Sequence, residues 1–286
     1  MEVIMFEDIY ESISQAAKKR NLRDSTIDAY YVNTEHFLRT VNKPATLLEF
    51  SDAEAFLTIK RLEGISPPTY NRYRAAIRFL YKKALHLEWN DDELPPMKQD
   101  KTLPTILSRE EINAIIEATK NLKHKAMIAT MYSSGLRVSE VTHLHYEDIS
   151  RTNMTIHVRN SKSRNDRYTI LSKRNLDLLT EYWFNCGRPM DILFLSSWNG
   201  GYLCKEGINN VFKRSAKRAG ITRHVSTHAC RHSFASHLYE EGLDIRCIQS
   251  LLGHASPLTT EVYVHVSNRK LLGVQSPYDL HKGGEK

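Results

Sequence analysis

The chain has 286 residues, 41% of them apolar, enough for two domains that each bury a core without disulfide staples. No apolar run approaches the about 18 residues of a membrane span, and Met1-Glu2-Val3-Ile4-Met5-Phe6-Glu7-Asp8 lacks the basic start and apolar centre of a signal peptide, so a cytoplasmic protein with no membrane partner is expected. The net charge of +7 is uneven: residues 1–98 hold 14 Lys/Arg against 15 Asp/Glu, and residues 99–286 hold 26 against 18, a balance that favours a polyanionic partner for the second part.

In chain order, residues 1–90 read as a small domain of about four helices. Phe6, Ile9, Ile13 and Ala16/Ala17 recur every three to four residues, as do Ile27, Tyr30/Tyr31, Thr34, Phe37/Leu38 and Val41. Ser51-Asp52-Ala53-Glu54 has capping-box spacing for a third helix that Gly64 stops. Ser66-Pro67-Pro68 opens a fourth, with Ile77, Leu80, Ala84 and Leu87 facing inward. Arg74, Arg78 and Lys82, spaced by four, form a basic stripe on it, and no acidic residue occurs from Gly64 to Leu87. The stripe is either a solvated face or a surface for the DNA backbone, since phosphates require only cations at suitable spacing.

Residues 91–105, with Pro95, Pro96 and Pro104, read as an extended linker. Ser108-Arg109-Glu110-Glu111 is a second capping box and starts a domain expected over 106–268. Within it, Met154–Arg159 and Arg167–Leu171 form a hairpin around a basic loop, followed by helices near 173–185, 207–219, 227–241 and 244–252. Residues 269–286 form a tail. The expected class is mainly α with a small β-sheet, in two domains. Cys186, Cys204, Cys230 and Cys247 suggest neither a zinc site nor a disulfide framework, and Cys230 and Cys247 fall inside apolar helical patterns.

The chemistry-bearing residues form an ordered series. Arg137 follows Ser133-Ser134-Gly135-Leu136 at the start of a new helix, whose free amides favour an anion. His228 and Arg231 lie three apart on a helix that Ser226 or Thr227 caps and Gly242 ends. Leu251-Leu252-Gly253-His254-Ala255 precedes a short helix begun by Ser256-Pro257 and carrying Tyr263 in Thr259-Thr260-Glu261-Val262-Tyr263-Val264-His265-Val266. Charge develops on the nonbridging oxygens when a phosphodiester is cleaved, so a site needs preorganised cations or a metal. No carboxylates cluster with metal-binding spacing, and arginine's planar fork donates paired hydrogen bonds to phosphate. A phenol of reference pKa ~10 must lose its proton as it attacks, which a cationic field assists.

This series resembles the tyrosine recombinase (phage integrase) family, faintly in the helical part and strongly from about residue 125 to 268. The resemblance implies a helical core-binding domain and a mixed α/β catalytic domain clamped around a duplex. It assigns Arg137 and Arg231 to the scissile phosphate, His228 to hydrogen bonding and proton transfer there, His254 to a lateral phosphate contact and Tyr263 to nucleophilic attack. Lys162, in Asn160-Ser161-Lys162-Ser163-Arg164-Asn165-Asp166-Arg167, matches the family's hairpin lysine, the expected general acid, with serines where glycines are usual; Arg164 is the alternative donor. Glu140 matches an acidic position and either orients a catalytic neighbour or forms a plain intrahelical pair. Arg159 and Arg164 join Arg74, Arg78 and Lys82 as DNA-contact candidates, whereas His224, His232, His237 and His265 are expected to be non-catalytic and Tyr168, Tyr239 and Tyr278 to be packing residues.

The implied reaction is site-specific recombination through a 3′-phosphotyrosyl intermediate and a Holliday junction, with no cofactor and no metal. The implied partners are double-stranded DNA at recombination sites and a homo-tetrameric synapse, with or without a second recombinase. The short form resembles Xer-type and mobile-element recombinases alike, and the resemblance of the ending Gln275-Ser276-Pro277-Tyr278-Asp279-Leu280 to that of integron and transposon-associated members favours a mobile-element enzyme over an Xer-type dimer resolvase. A type IB topoisomerase and a catalytically silent DNA-binding protein are the rivals.

Overall fold

The computed structural model describes residues 6–99, 103–159, 166–196 and 200–253. Lys162, Arg164, His254, Tyr263 and the tail therefore lie outside the described residues. The chain divides into two compact units, 1–101 and 102–286.

In the first unit, α1 (Phe6–Lys18), α2 (Asp24–Val41), α3 (Phe50–Leu62) and α4 (Pro67–Phe79) follow the apolar periodicity. Ile13, Ala17, Ile27, Phe37, Leu38, Phe56, Leu57 and Ile77 are buried together, with Phe37 and Phe56 edge to face at 5.3 Å. Ser66 is the N-cap of α4, with prolines in its first turn. The cap of α3 falls earlier than the Ser51 spacing suggests: Asp52 accepts the amide of Glu49 at 2.9 Å, and the helix starts at Phe50.

The fourth helix does not run unbroken to Leu87. At Leu80 it widens into a π-helical segment, Leu80–Leu85, ended by His86 at φ +55°. The wider turn rotates Tyr81 fully into the core, where its hydroxyl donates to the Glu49 carbonyl at 2.8 Å; Ala84 and Leu87 are only half-buried. Burial pushes the Tyr81 phenol well above its ordinary range.

The segment expected as the start of a linker is packed on this unit. Leu94 is buried, and Asn71 brackets Met97 by donating to its carbonyl and accepting its amide, both at 2.9 Å. Asp91 accepts from Arg74 at 2.7 Å and from Arg78 at 2.7 and 2.8 Å, while Lys82 stands 3.7 Å away. The acid missing from residues 64–87 is thus supplied from beyond the helix.

The second unit builds its core around α6 (Leu122–Ser133), whose Ala126 through Met131 are all buried, as expected of a central helix apolar on every side. Around it lie α5 (Arg109–Ala118), α8 (Lys173–Asn185), α9 (Lys205–Arg218) and α10 (Thr227–Glu240). The Ser108 capping box forms, with Glu111 donating its amide to the Ser108 hydroxyl at 3.2 Å and returning its carboxylate to the Ser108 amide at 2.9 Å. The short helix α7 (Val138–Val141) and α11 (Ile245–Leu252) complete the helical set among the described residues.

The hairpin strands β2 (Thr155–Val158) and β3 (Arg167–Ile170) pair antiparallel, and a two-residue strand β1 (Ile149–Ser150), not anticipated, extends them into a sheet of order β1-β2-β3. On β3 the inward positions are Arg167 and Thr169, while Tyr168, expected to pack inside, is 65% exposed and stacks on His157 at 4.8 Å. All four cysteines are free; Cys230 is buried, and Cys247 is exposed despite its apolar surroundings in sequence. No described helix is long and apolar enough to cross a membrane.

Tyr81→Phe is expected to lower the stability of the full chain by about 1 kcal/mol, because the bond from the buried side chain to the Glu49 carbonyl is lost while packing is kept. The midpoint of urea unfolding measures it; an unchanged midpoint would show that the hydroxyl contributes nothing.

Candidate active site

Three elements distant in sequence converge on one carboxylate. The turn after α6 carries Gly135 at φ +65°, a backbone conformation that suits glycine. A Cβ there would come within 2.6 Å of the Phe234 ring and 3.0 Å of Leu252, so Gly135 also lets α10 and α11 close on the turn. Two residues later Arg137 is the N-cap of α7. Glu140, three residues on and only 8% exposed, accepts the Arg137 amide at 2.9 Å and its guanidinium at 2.7 Å. The first amide of this turn therefore holds a carboxylate of the protein and is not open to an anion.

From β3, Arg167 donates two parallel bonds to the same carboxylate, Nη1 to Oε1 at 3.0 Å and Nη2 to Oε2 at 2.8 Å, and its Nε donates to the Leu251 carbonyl at 2.8 Å. From α10, Arg231 places Nη1 3.6 Å from Oε2. Arg231 is buried, donating to the carbonyls of Gly135 at 2.8 Å and Leu252 at 2.5 Å. The cap of α11 is Gly253 at φ +65°, where a Cβ would stand 2.7 Å from Cδ of Arg167.

Burial raises the affinity of Glu140 for a proton, but its arginine partners outweigh that and hold the carboxyl down at about 2. One negative charge thus faces three permanent positive ones, an excess of cation built into the fold before any ligand arrives.

Of the other candidates, His228 is exposed on the first turn of α10 and His232 lies behind it, ring centroids 6.5 Å apart. Although His228 and Arg231 are one turn apart, one is exposed and the other buried. Burial, together with His228 and Arg231, lowers the His232 imidazole to about 4, which keeps it neutral at physiological pH. His237 is buried, with Nδ1 2.9 Å from the Tyr132 hydroxyl. Arg159 is engaged by Asp148 at 2.6 Å and Glu147 at 2.7 Å. Among the described residues no three His, Cys, Asp or Glu side chains group as a metal site requires.

The residue that sequence reasoning passed over is Arg167. Its signal was present: polar Arg167 and Thr169 alternate with Tyr168 and Ile170, and the polar pair faces inward because Thr169 donates to the Ser134 carbonyl at 2.8 Å while Arg167 meets Glu140.

Residues 105–270 match the model of the phage integrase family, and residues 9–91 match that of the phage integrase N-terminal SAM-like domain. A putative integrase/recombinase, y4qK, of Sinorhizobium fredii is 30% identical over 281 residues, covering 98% of this chain and 91% of that protein. The chain is a tyrosine recombinase of the phage integrase family. The tyrosine recombinase XerD of Listeria innocua is 30% identical over 283 residues, covering 91% of this recombinase and 94% of that protein. The crystal structure of the XerH site-specific recombinase bound to palindromic difH substrate shares the fold with a TM-score of 0.71 at 24% identity, over 92% of this chain and 83% of that one. The recombinase is accordingly an enzyme of site-specific DNA recombination.

Glu140→Gln keeps the shape of the hub but leaves its guanidinium groups without their anion, and is expected to cost about 3–5 kcal/mol, the range for breaking a buried pair. Because the folded carboxyl lies below its ordinary value, the stabilisation is fully present above the unfolded pKa and is lost only as pH falls through about 2. Urea midpoints of the variant and wild type should therefore differ by a constant amount between pH 6 and 8; equal midpoints would remove the hub from the stability of the fold.

Proposed function

We propose that this recombinase cuts and rejoins double-stranded DNA through Tyr263. The phenolic oxygen attacks the scissile phosphorus, the bond from phosphorus to the 5′ oxygen breaks, and Lys162 supplies a proton to the departing 5′ hydroxyl. The bond energy stays in a 3′-phosphotyrosyl linkage, which a 5′ hydroxyl of the partner duplex attacks in turn; two rounds pass through a Holliday junction. Arg137 and Arg231 hold the nonbridging oxygens, with His228 and His254 completing the contacts. The observation that carries this reading is the convergence of Arg137 and Arg231, from separate elements, on the Glu140 carboxylate. Such preorganised cations stabilise developing charge without reorganising at the moment of reaction.

Double-stranded DNA is the partner. The first unit contributes Arg74, Arg78 and Lys82, gathered by Asp91, and a cleft of about 180 Å³ lined by Arg20, Tyr30, Arg74, Arg78 and Lys83, suited to backbone phosphates. Arg159, balanced by two carboxylates, is the weaker contact. Active assemblies are homo-tetramers, the tail of one protomer docking on the next, and a mobile element is the setting that the Ser276-Pro277 ending favours. The likeness to XerD over nearly the whole chain favours a second reading, resolution of chromosome or plasmid dimers. A two-site assay separates them: recombination between mobile-element ends supports the first, and reaction confined to a chromosomal or plasmid resolution site supports the second.

Tyr263→Phe should abolish covalent attachment to a nicked suicide substrate while half-site binding stays within about threefold, since one hydroxyl is lost and the phosphate contacts remain. Arg137→Lys and Arg231→Lys should each lose cleavage by about 10²-fold or more, because lysine cannot reproduce paired hydrogen bonds. Adduct formation by Tyr263→Phe would exclude Tyr263 as the nucleophile and assign the attack to another side chain.

Arg78→Ala should weaken DNA binding about equally on specific and random duplexes and reduce the slope of log affinity against log salt by about 0.9, the value for one phosphate contact. Gel shifts from 50 to 200 mM salt measure it; an unchanged slope assigns Arg78 to Asp91 alone.

A further inference from the structure

Arg167 belongs to none of the roles assigned above, yet it is the most committed side chain at the site. It is buried, 9% exposed, although arginine is seldom placed so deeply unless paired. All three nitrogens of its guanidinium group are engaged: two on Glu140 and Nε on the Leu251 carbonyl. Glu140 accepts four hydrogen bonds in all, two from Arg137 and two from Arg167, which is the capacity of a carboxylate. Arg231, at 3.6 Å, interacts with it through charge.

The position of Arg167 in the chain gives this arrangement its meaning. It opens β3, five residues after Lys162, and its other partner, Leu251, precedes His254 by three residues. The tight approach to Gly253, where any Cβ would meet the Arg167 side chain, fixes the same junction sterically. One guanidinium therefore ties the foot of the hairpin, the α7 turn that bears Arg137, and the last turn of α11.

We propose that Arg167 is a positioning residue for phosphodiester cleavage: it holds Glu140 in the place that aims Arg137 at the phosphate, and it locks the hairpin foot to the end of α11. This rests on the recombinase chemistry proposed above. Arg167 does not touch the DNA; its effect passes through Glu140 and Leu251.

The mechanism has a pH signature. The charged groups facing Glu140 are Arg137 from α7, Arg167 from β3 and Arg231 from α10, with His228 and His232 flanking Arg231. Burial favours the neutral carboxyl, and Arg167 is the leading influence against it. Without Arg167 the Glu140 pKa rises, and a protonated Glu140 no longer accepts both bonds of Arg137. His228 and His232 are common to variant and wild type, and His232, its imidazole lowered to about 4, stays neutral over the range tested.

The test is single-turnover cleavage of a nicked suicide half-site by full-length wild type, Arg167→Gln and Arg167→Lys from pH 5.5 to 8, with half-site affinity measured alongside. At pH 8 Arg167→Gln should cleave about 30-fold more slowly than wild type with affinity within about threefold, and the ratio should fall about tenfold further towards pH 5.5 as Glu140 protonates. Arg167→Lys, which keeps the charge and part of the bonding, should recover at least about threefold of the loss and a shallower pH dependence. A ratio independent of pH, a lysine variant no better than glutamine, or a loss of rate matched by an equal loss of affinity would each overturn the proposal. If Arg167→Gln does not fold, Arg167→Lys decides by itself: a deficit that deepens towards acid supports positioning, and a rate equal to wild type at every pH overturns it. Wild type that forms no covalent adduct would instead defeat the proposed chemistry, whereas a normal wild-type adduct with a flat ratio defeats the role of Arg167 alone.

Discussion

The Glu140 carboxylate accepts four hydrogen bonds from Arg137 and Arg167 and faces Arg231 at 3.6 Å. Bringing guanidinium groups together in a protein interior is costly unless an anion compensates them. Glu140 supplies that compensation incompletely, one negative charge among three positive. The turn after α6, the foot of the hairpin and the middle of α10 are consequently held around a centre that retains an excess of positive charge. A phosphodiester acquiring charge is a suitable ligand for such a centre, because the cations are already oriented and the water-poor surroundings strengthen their field.

Backbone groups finish what the carboxylate starts. Arg231 has its guanidinium spread between the carbonyls of Gly135 and Leu252, so its orientation is set by the turn after α6 and the end of α11 together. Both places depend on glycine with positive φ, and at each a Cβ would collide with a neighbour, Phe234 at Gly135 and Arg167 at Gly253. The small and polar residues of α10, Ala229, Cys230, Ser233, Ala235 and Ser236, are buried, which lets that helix lie deep enough for Arg231 to reach both carbonyls. Packing and electrostatics here are one constraint, since each arginine is aimed by a contact that exists only if the helices approach closely.

The first unit handles positive charge by a looser version of the same device. Asp91 gathers Arg74, Arg78 and Lys82 at a half-exposed site, where solvent and salt screen the attraction. Its carboxyl is held far below the ordinary range, Arg78 contributing most, and stays ionised at any physiological pH. The contrast with Glu140 is one of burial: the enclosed cluster fixes geometry, and the more exposed one leaves Arg78 and Lys82 partly open to solvent.

Local chemistry is what the amino-acid sequence determined by itself. Ser66-Pro67-Pro68, the Ser108 capping box, Ser226 and Gly253 mark real helix ends: Ser108 accepts a cap bond, Gly253 takes a positive φ, and Ser66 and Ser226 hold the extended N-cap conformation. The hairpin and the helices after it were legible from apolar period, and the ordered series from Arg137 to Tyr263 named the family. Only the tertiary structure decided which candidates meet. It put Arg167 into the Glu140 cluster, turned Tyr168 outward, shifted Tyr81 inward through a π-helical turn and drew residues 91–97 onto the first unit. Each of these depends on a partner far along the chain: Glu140 and Leu251 for Arg167, Ser134 for Thr169, Glu49 for Tyr81 and Asn71 for Met97. Periodicity and caps record what a residue does with its neighbours in sequence, whereas a buried charge is placed by whichever opposite charge the fold brings to it.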